Sequence, residues 1–159
     1  MALQRPCYLN VDNFSELDRI IALHKGTVSG FPALHCICAI VGIRVNPQTV
    51  TQTANTALAT GGVVSKFGVA LHDADNKQRI IDYVVKYHNV INLRMIHVHS
   101  GSQGLSLNTM VAGVTAIMHE LIDNTPLSSL IDVIDIGGGF PVDFSSDDET
   151  HGITMINYV

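Results

Sequence analysis

Two short segments concentrate the residues able to do chemistry. His97-Val98-His99-Ser100-Gly101-Ser102-Gln103 sets two imidazoles and two hydroxyls around a glycine, and Gly137-Gly138-Gly139-Phe140-Pro141 places three glycines directly after an apolar run. Consecutive glycines let backbone N–H groups approach an anion with no Cβ in the way. A serine hydroxyl supplies a further donor, and an imidazole can lie flat against an aromatic ring. Together these groups suit a flat ligand that bears a phosphate. Each also has a plainer use: a glycine triplet makes a tight turn, and a single histidine is ordinarily a satisfied core residue. Of His97 and His99, one is expected to face the interior and the other the surrounding helices. The remaining histidines are given no role.

Both segments follow predicted strands, and the rest of the chain supplies elements to hold them. Tyr8 to Val11 reads as a short strand. Asn13 then caps a helix with Glu16 as its capping-box partner; Leu17, Ile20, Ile21 and His24 form its inner stripe, and Gly26 ends it. Ile37 to Val45 is a long β-type run, and Thr49 to Thr60 is open between loop and short helix. Asp73 opens a second helix with the stripe Ile80, Ile81, Val84 and Val85. Leu93 to Val98 is the next strand. Ser106 caps a third helix, in which Leu107, Met110, Val111, Val114, Ile117, Met118 and Leu121 recur at helical spacing. Ile131 to Ile136 is the last strand, and Thr150 to Val159 has the look of a further helix beginning.

Strands alternating with helices imply right-handed crossovers and a parallel α/β sheet. A doubly wound sheet and a (β/α)8 barrel both fit, and both bind ligands at the carboxyl ends of their strands. A whole barrel takes about 250 residues. With 159 residues and about four clear strands, the barrel reading makes this a partial barrel.

Apolar residues make up 47% of the chain and charged residues only 14%, against about a quarter in ordinary soluble domains. No apolar run approaches the roughly 20 residues of a membrane span, and Met1 to Pro6 lacks the apolar core of a signal peptide. The surplus is assigned to buried parallel strands. The inner face of the partial barrel is accordingly expected to be an exposed patch of Val, Ile and Leu. A net charge of −5 offers no basic surface for nucleic acid. Cys36 and Cys38 are placed on one face of a predicted strand. With Cys7 they are read as reduced, structural thiols of a cytoplasmic protein. The acidic stretch Asp143, Asp147, Asp148, Glu149 lacks the spacing of a calcium loop, so no metal site is expected.

Taken in order, His97-Val98-His99-Ser100-Gly101-Ser102-Gln103 and Ile134-Asp135-Ile136-Gly137-Gly138-Gly139-Phe140-Pro141 resemble the alanine-racemase-like (fold type III) barrel decarboxylases of ornithine, diaminopimelate and arginine, which use pyridoxal 5'-phosphate. Gly42-Ile43-Arg44-Val45-Asn46-Pro47 is similar to that family's arginine-bearing strand, Ser65-Lys66-Phe67-Gly68 to its Lys-Phe-Gly segment, and Val11 to Leu17 to the helix start before them. The resemblance runs from about Val11 to Pro141. Gly101-Ser102-Gln103 and Arg44-Val45-Asn46-Pro47 lean towards the diaminopimelate branch.

The resemblance implies a TIM-type barrel with His99 stacked on the cofactor ring, Ser102 and Gly137, Gly138 and Gly139 on its phosphate, and Arg44 beneath it near His99. It matches Lys66 to a lysine of the dimer contact. The plainer alternatives are a strand-end salt bridge for Arg44 and a snorkelling surface lysine for Lys66. It also places the lysine that anchors the cofactor on a strand upstream of Met1, and a Glu-Pro-Gly-Arg segment and a C-terminal β-domain beyond Val159. None of Lys25, Lys66, Lys77 and Lys86 sits in such a strand, so no catalytic residue is assigned within the chain. The expectation is therefore part of a decarboxylase, inactive alone, whose complete form is a homodimer acting on an amino acid. A decarboxylase-like protein that only binds or regulates a partner is the alternative.

Overall fold

Parallel strands and helices alternate through residues 2–49, 65–100 and 107–139, the residues that the computed structural model describes. The order is β1 (Tyr8–Val11), α1 (Phe14–Lys25), β2 (Ile40–Asn46), β3 (Val69–Ala70), α2 (Asn76–Tyr87), β4 (Leu93–His97), α3 (Leu107–Ala116) and β5 (Val133–Asp135). Every strand pair is parallel. The sheet order is β1-β2-β4-β5, and β3 joins β2 at Val45 and Asn46.

Local sequence explains the ends of α1. The Asn13 side chain accepts the Glu16 N–H at 3.0 Å, and the Glu16 carboxylate reaches back to the Asp12 N–H at 2.7 Å. This is the reciprocal capping expected from the spacing, displaced one residue backwards. Gly26 stops the helix at φ 69°, where the Thr27 N–H can turn onto the Ala22 carbonyl at 3.0 Å.

Several boundaries differ from the sequence reading. The β2 strand starts at Ile40, so Cys36 and Cys38 lie in an irregular segment before it, and all three cysteines are exposed rather than packed as structural thiols. The α2 helix begins at Asn76 because Asp73 to Asp75 form a turn in which Ala74 takes φ 47°. The β5 strand is shortened because the Ile131 N–H is still committed to Leu127, at the end of the preceding 3-10 turn. Past Ala116 the third helix widens into a π turn, Ile117–Ile122, closed by Asp123 N–H to Met118 carbonyl at 2.7 Å. The strand β3, two residues long, gives no periodic signal. Residues 50–60 and Thr150 to Val159 lie outside the described residues.

One face of the sheet carries the core. Val11, Val41, Ile43, Val45, Ile96 and Val98 are buried with Leu17, Ile20 and Ile21 of α1, Ile80, Ile81 and Val84 of α2, and Ile117 and Leu121 of the π turn. The other face, expected to be largely Val, Ile and Leu, is mixed. It is apolar towards its amino end, with Tyr8, Ile40 and Val133, and polar towards its carboxyl end, where Arg44, His97 and Asp135 stand in register and Asn10 lies one layer earlier, beside Gly42. Side chains that meet inside a ring of strands can satisfy each other's hydrogen bonds, so this face need not be greasy.

A single bond reports the curvature. The Asn10 amide donates to Asp135 Oδ2 at 2.7 Å, although β2 and β4 lie between their strands. In a flat sheet those strands would stand about 14 Å apart, three spacings of roughly 4.8 Å, too far for two short side chains. The sheet is therefore curled with this face inside. It is an open, partial wall of a barrel rather than a doubly wound sheet.

The α1 stop offers a test. A Cβ on Gly26 would lie 2.7 Å from that of Ala33, whereas one on Gly30, at φ 80°, would meet nothing within 4 Å among the described residues. Gly26→Ala should destabilise the fold by about 1–3 kcal/mol and Gly30→Ala by about 1, read from urea unfolding. Equal losses would remove the packing part of the account.

Candidate functional site

The carboxyl ends of β1, β2, β4 and β5 bring together Asn10, Arg44, His97, His99, Asp135 and the glycine loop. Asp135 is the hub. Its Oδ1 accepts the Gly137 N–H at 2.8 Å, while Oδ2 accepts the Asn10 amide and lies 3.1 Å from His97 Nδ1. Burial alone would raise the Asp135 pKa. The Gly137 N–H, the Asn10 amide and His97 outweigh it and hold the carboxyl below its ordinary range.

That anchored turn shapes the loop. Gly137 takes φ 74° and Gly139 φ 98°, both left-handed values that favour glycine. A side chain at Gly137 would also collide with the His99 ring. The Gly138 N–H points at His99 Nδ1 over 3.2 Å. A nitrogen that accepts a hydrogen bond carries no proton, so a neutral His99 bears its hydrogen on Nε2. Burial first, then the positive charges of Arg44 and His97, lower the His99 pKa against the opposing pull of Asp135. The lowered pKa and the accepting Nδ1 both favour the neutral imidazole.

His97 and His99 do not face opposite ways. Their ring centroids are 6.1 Å apart and both rings approach Gly137. Two residues along a strand restore the same face, which is the period that the sequence expectation misapplied. His97 was given no role, yet it joins the Asp135 network. Asn10 and Asp135 were missed as well. Nothing in a strand of four residues marks Asn10, whereas Asp135 stood inside the Ile-Asp-Ile-Gly-Gly-Gly segment as a visible but unread signal.

Arg44 is a half-buried side chain whose guanidinium lies 3.4 Å from Asp12 and 4.9 Å above the Phe67 ring, with Lys66 Nζ 5.3 Å from the same ring. The salt-bridge role and the place beside His99 therefore coexist. Ser102 and the acidic stretch from Asp143 to Glu149 lie outside the described residues. The four lysines occupy α1, α2 and the segment before Gly68, so none is on a strand.

The family model described as "Pyridoxal-dependent decarboxylase, pyridoxal binding domain" matches residues 1–159. The chain belongs to this family. Its cofactor is accordingly pyridoxal phosphate. Among relatives of this decarboxylase family, the chain is 29% identical to the diaminopimelate decarboxylase of Bacillus subtilis over 140 residues, which cover 87% of this chain and 29% of that protein. It is 27% identical over 137 residues to a biosynthetic arginine decarboxylase of Vibrio vulnificus, covering 86% of this chain and 19% of that protein. The crystal structure of a mutant diaminopimelate decarboxylase from Helicobacter pylori complexed with L-lysine superposes with a TM-score of 0.62 at 25% identity, over 95% of this chain and 34% of that one. The chain thus spans less than a third of the length of the curated relatives named here. Among the described residues, no helix is long and apolar enough to cross a membrane.

The His99 arrangement predicts a pH dependence. The unfolded residue takes up a proton near its ordinary value of 6.5, which the folded one resists. Its stabilising contribution is therefore complete above that value and declines as the pH falls below it. The Asp135 contribution persists until the carboxylate range is reached. The urea midpoint should fall between about pH 7 and 5, and fall less in His99→Gln. Parallel declines in the two proteins would contradict a depressed His99.

Proposed function

We propose that the chain is the cofactor-holding part of an amino-acid decarboxylase of the diaminopimelate or arginine type. Arg44, His99, Ser102 and the loop Gly137 to Gly139 are its cofactor contacts in this reading. The observation that carries it is the neutral His99 imidazole, fixed by the Gly138 N–H at the carboxyl ends of parallel strands. A flat aromatic ligand can lie against that ring without burying a charge. The residues present fit the cofactor in two further respects. Among the described residues, a Cβ on Gly138 would meet nothing nearer than His99 Cε1 at 4.0 Å. Arg44 supplies positive charge beside His99.

Pyridoxal phosphate, when bound, supplies the electron sink for loss of the substrate carboxylate. The chain's own residues position and shield. Asp135 holds the glycine turn and orients His97, His99 presents its face, and burial, with the Arg44 charge second, lowers the His99 pKa. We read the chain as part of a longer cytoplasmic protein that dimerises when complete and acts on a basic or dibasic amino acid, with the anchoring lysine supplied outside these residues. The location of all four lysines off the strands supports inactivity of the chain alone. The same observation favours the second reading, a decarboxylase-like protein that binds without turning over. Carbon dioxide release by the protein with its flanking coding sequence separates the two.

Titration with pyridoxal phosphate, followed by absorbance, should show binding that His99→Ala weakens at least about tenfold, a loss of roughly 1.4 kcal/mol. Gly137→Ala should weaken it comparably. Unchanged affinity in both variants would remove the proposed contacts.

The chain alone should release no carbon dioxide from diaminopimelate, arginine or ornithine with cofactor added, and borohydride should fix no cofactor to a lysine. A stoichiometric adduct at Lys66 would overturn the assignment of the anchoring lysine to another segment.

A further inference from the structure

A pair of thiols at the other end of the sheet has no part in the cofactor site. Cys36 and Cys38 lie in the irregular segment before β2, both exposed, with their sulfurs 3.7 Å apart. The segment is tethered on both sides of the pair. The N–H groups of Cys38 and Ala39 bond to the Leu3 carbonyl at 2.8 and 3.3 Å, and the Leu34 N–H to the Leu23 carbonyl at 2.9 Å. Cys36 also lines a cleft of about 470 Å³ with His24, His35, Asn89, Asn92 and Arg94. Among the described residues no lining side chain is acidic, although Arg94 is paired with Asp132 at 2.8 Å.

We propose that Cys36 and Cys38 form a dithiol site that hydrogen peroxide converts, reversibly, to an intramolecular disulfide. Two sulfurs in contact need to close by less than 2 Å to reach the roughly 2.05 Å of an S–S bond. In the first step the Cys36 thiolate attacks one oxygen of the peroxide. The O–O bond breaks, the other oxygen leaves as hydroxide and takes a proton to become water, and Cys36 becomes a sulfenic acid. In the second step Cys38 sulfur attacks Cys36 sulfur, the S–O bond breaks, and the hydroxyl leaves as a second water with the Cys38 proton. Two thiols are oxidised and one peroxide is reduced. The order follows from the surroundings. The hydrogen bond with Cys36, ahead of burial and charge, raises the Cys38 pKa, and Cys36 is the member of the pair that lines the cleft through which an oxidant arrives.

Exposure places both sulfurs within reach of a small oxidant, and the second thiol two residues away resolves the sulfenic acid before further oxidation. Cys7 is exposed too, but its sulfur contacts the Ala2 carbonyl at 3.5 Å and not a thiol.

The full chain, reduced and then treated with stoichiometric hydrogen peroxide, can be alkylated and digested with trypsin. The peptide from Gly26 to Arg44 holds both cysteines and not Cys7. It should appear unalkylated and lighter by about 2 Da, the two hydrogens lost on disulfide formation, and dithiothreitol should restore two alkylatable thiols. Cys7→Ser should behave identically, and Cys36→Ser should yield no such peptide. Closure should be at least about fivefold slower in urea, where the chain no longer holds the sulfurs together. Two alkylated cysteines, a sulfinic or sulfonic product, a cross-link to Cys7, or the same rate in urea would each overturn the proposal.

Discussion

Everything at the carboxyl end of this sheet hangs on the carboxylate of Asp135. It reaches across the curled face to Asn10, meets His97 beside it and holds the Gly137 N–H above it. One ionised group thus ties the two outer strands of the four-strand path together and sets the turn that follows the last of them. The charge is tolerable because three donors converge on it; with fewer, desolvation would favour the protonated acid. The curvature of the sheet and the electrostatics of the site are therefore one problem with one solution.

From that turn the placement of His99 follows. The backbone leaves Asp135 in a conformation open to glycine, passes under the imidazole where no Cβ fits, and offers the next N–H to Nδ1. The ring is fixed by main-chain geometry, which is set before any ligand arrives. Preorganisation of this kind limits how much order binding must create. It also ties the tautomer of His99 to the loop, because Nδ1 can accept only while it is unprotonated.

Much of this was legible in the residues, and the misses have physical reasons. The start and stop of α1 were readable because capping chemistry is local: Asn13, Glu16 and Gly26 act within a few residues of themselves. The two segments flanking the site were readable because glycine triplets and paired imidazoles are rare combinations. The Asn10 contribution was invisible because its partner is 125 positions away and only curvature unites them. The polar inner face was misjudged because composition reports how much apolar surface a chain has, not which side of a strand bears it. The Cys36–Cys38 segment looked like a strand because it leads into the Ile- and Val-rich run from Ile37 to Val45. Ladder pairing begins only at Ile40, where β1 provides a partner.

The π turn at the end of the third helix has a separate consequence. An α-helix has a fixed phase, so residues inserted into it rotate everything downstream. A π turn takes up one residue in a wider loop of backbone and returns the chain to its former direction. Met110 and Gly113 before the turn, and Ile117, Leu121 and Ile122 within it, are buried. The helix between β4 and β5 is in this sense a length buffer. It can absorb a change of one residue between related chains while the strand ends that carry His99 and Gly137 stay where they are.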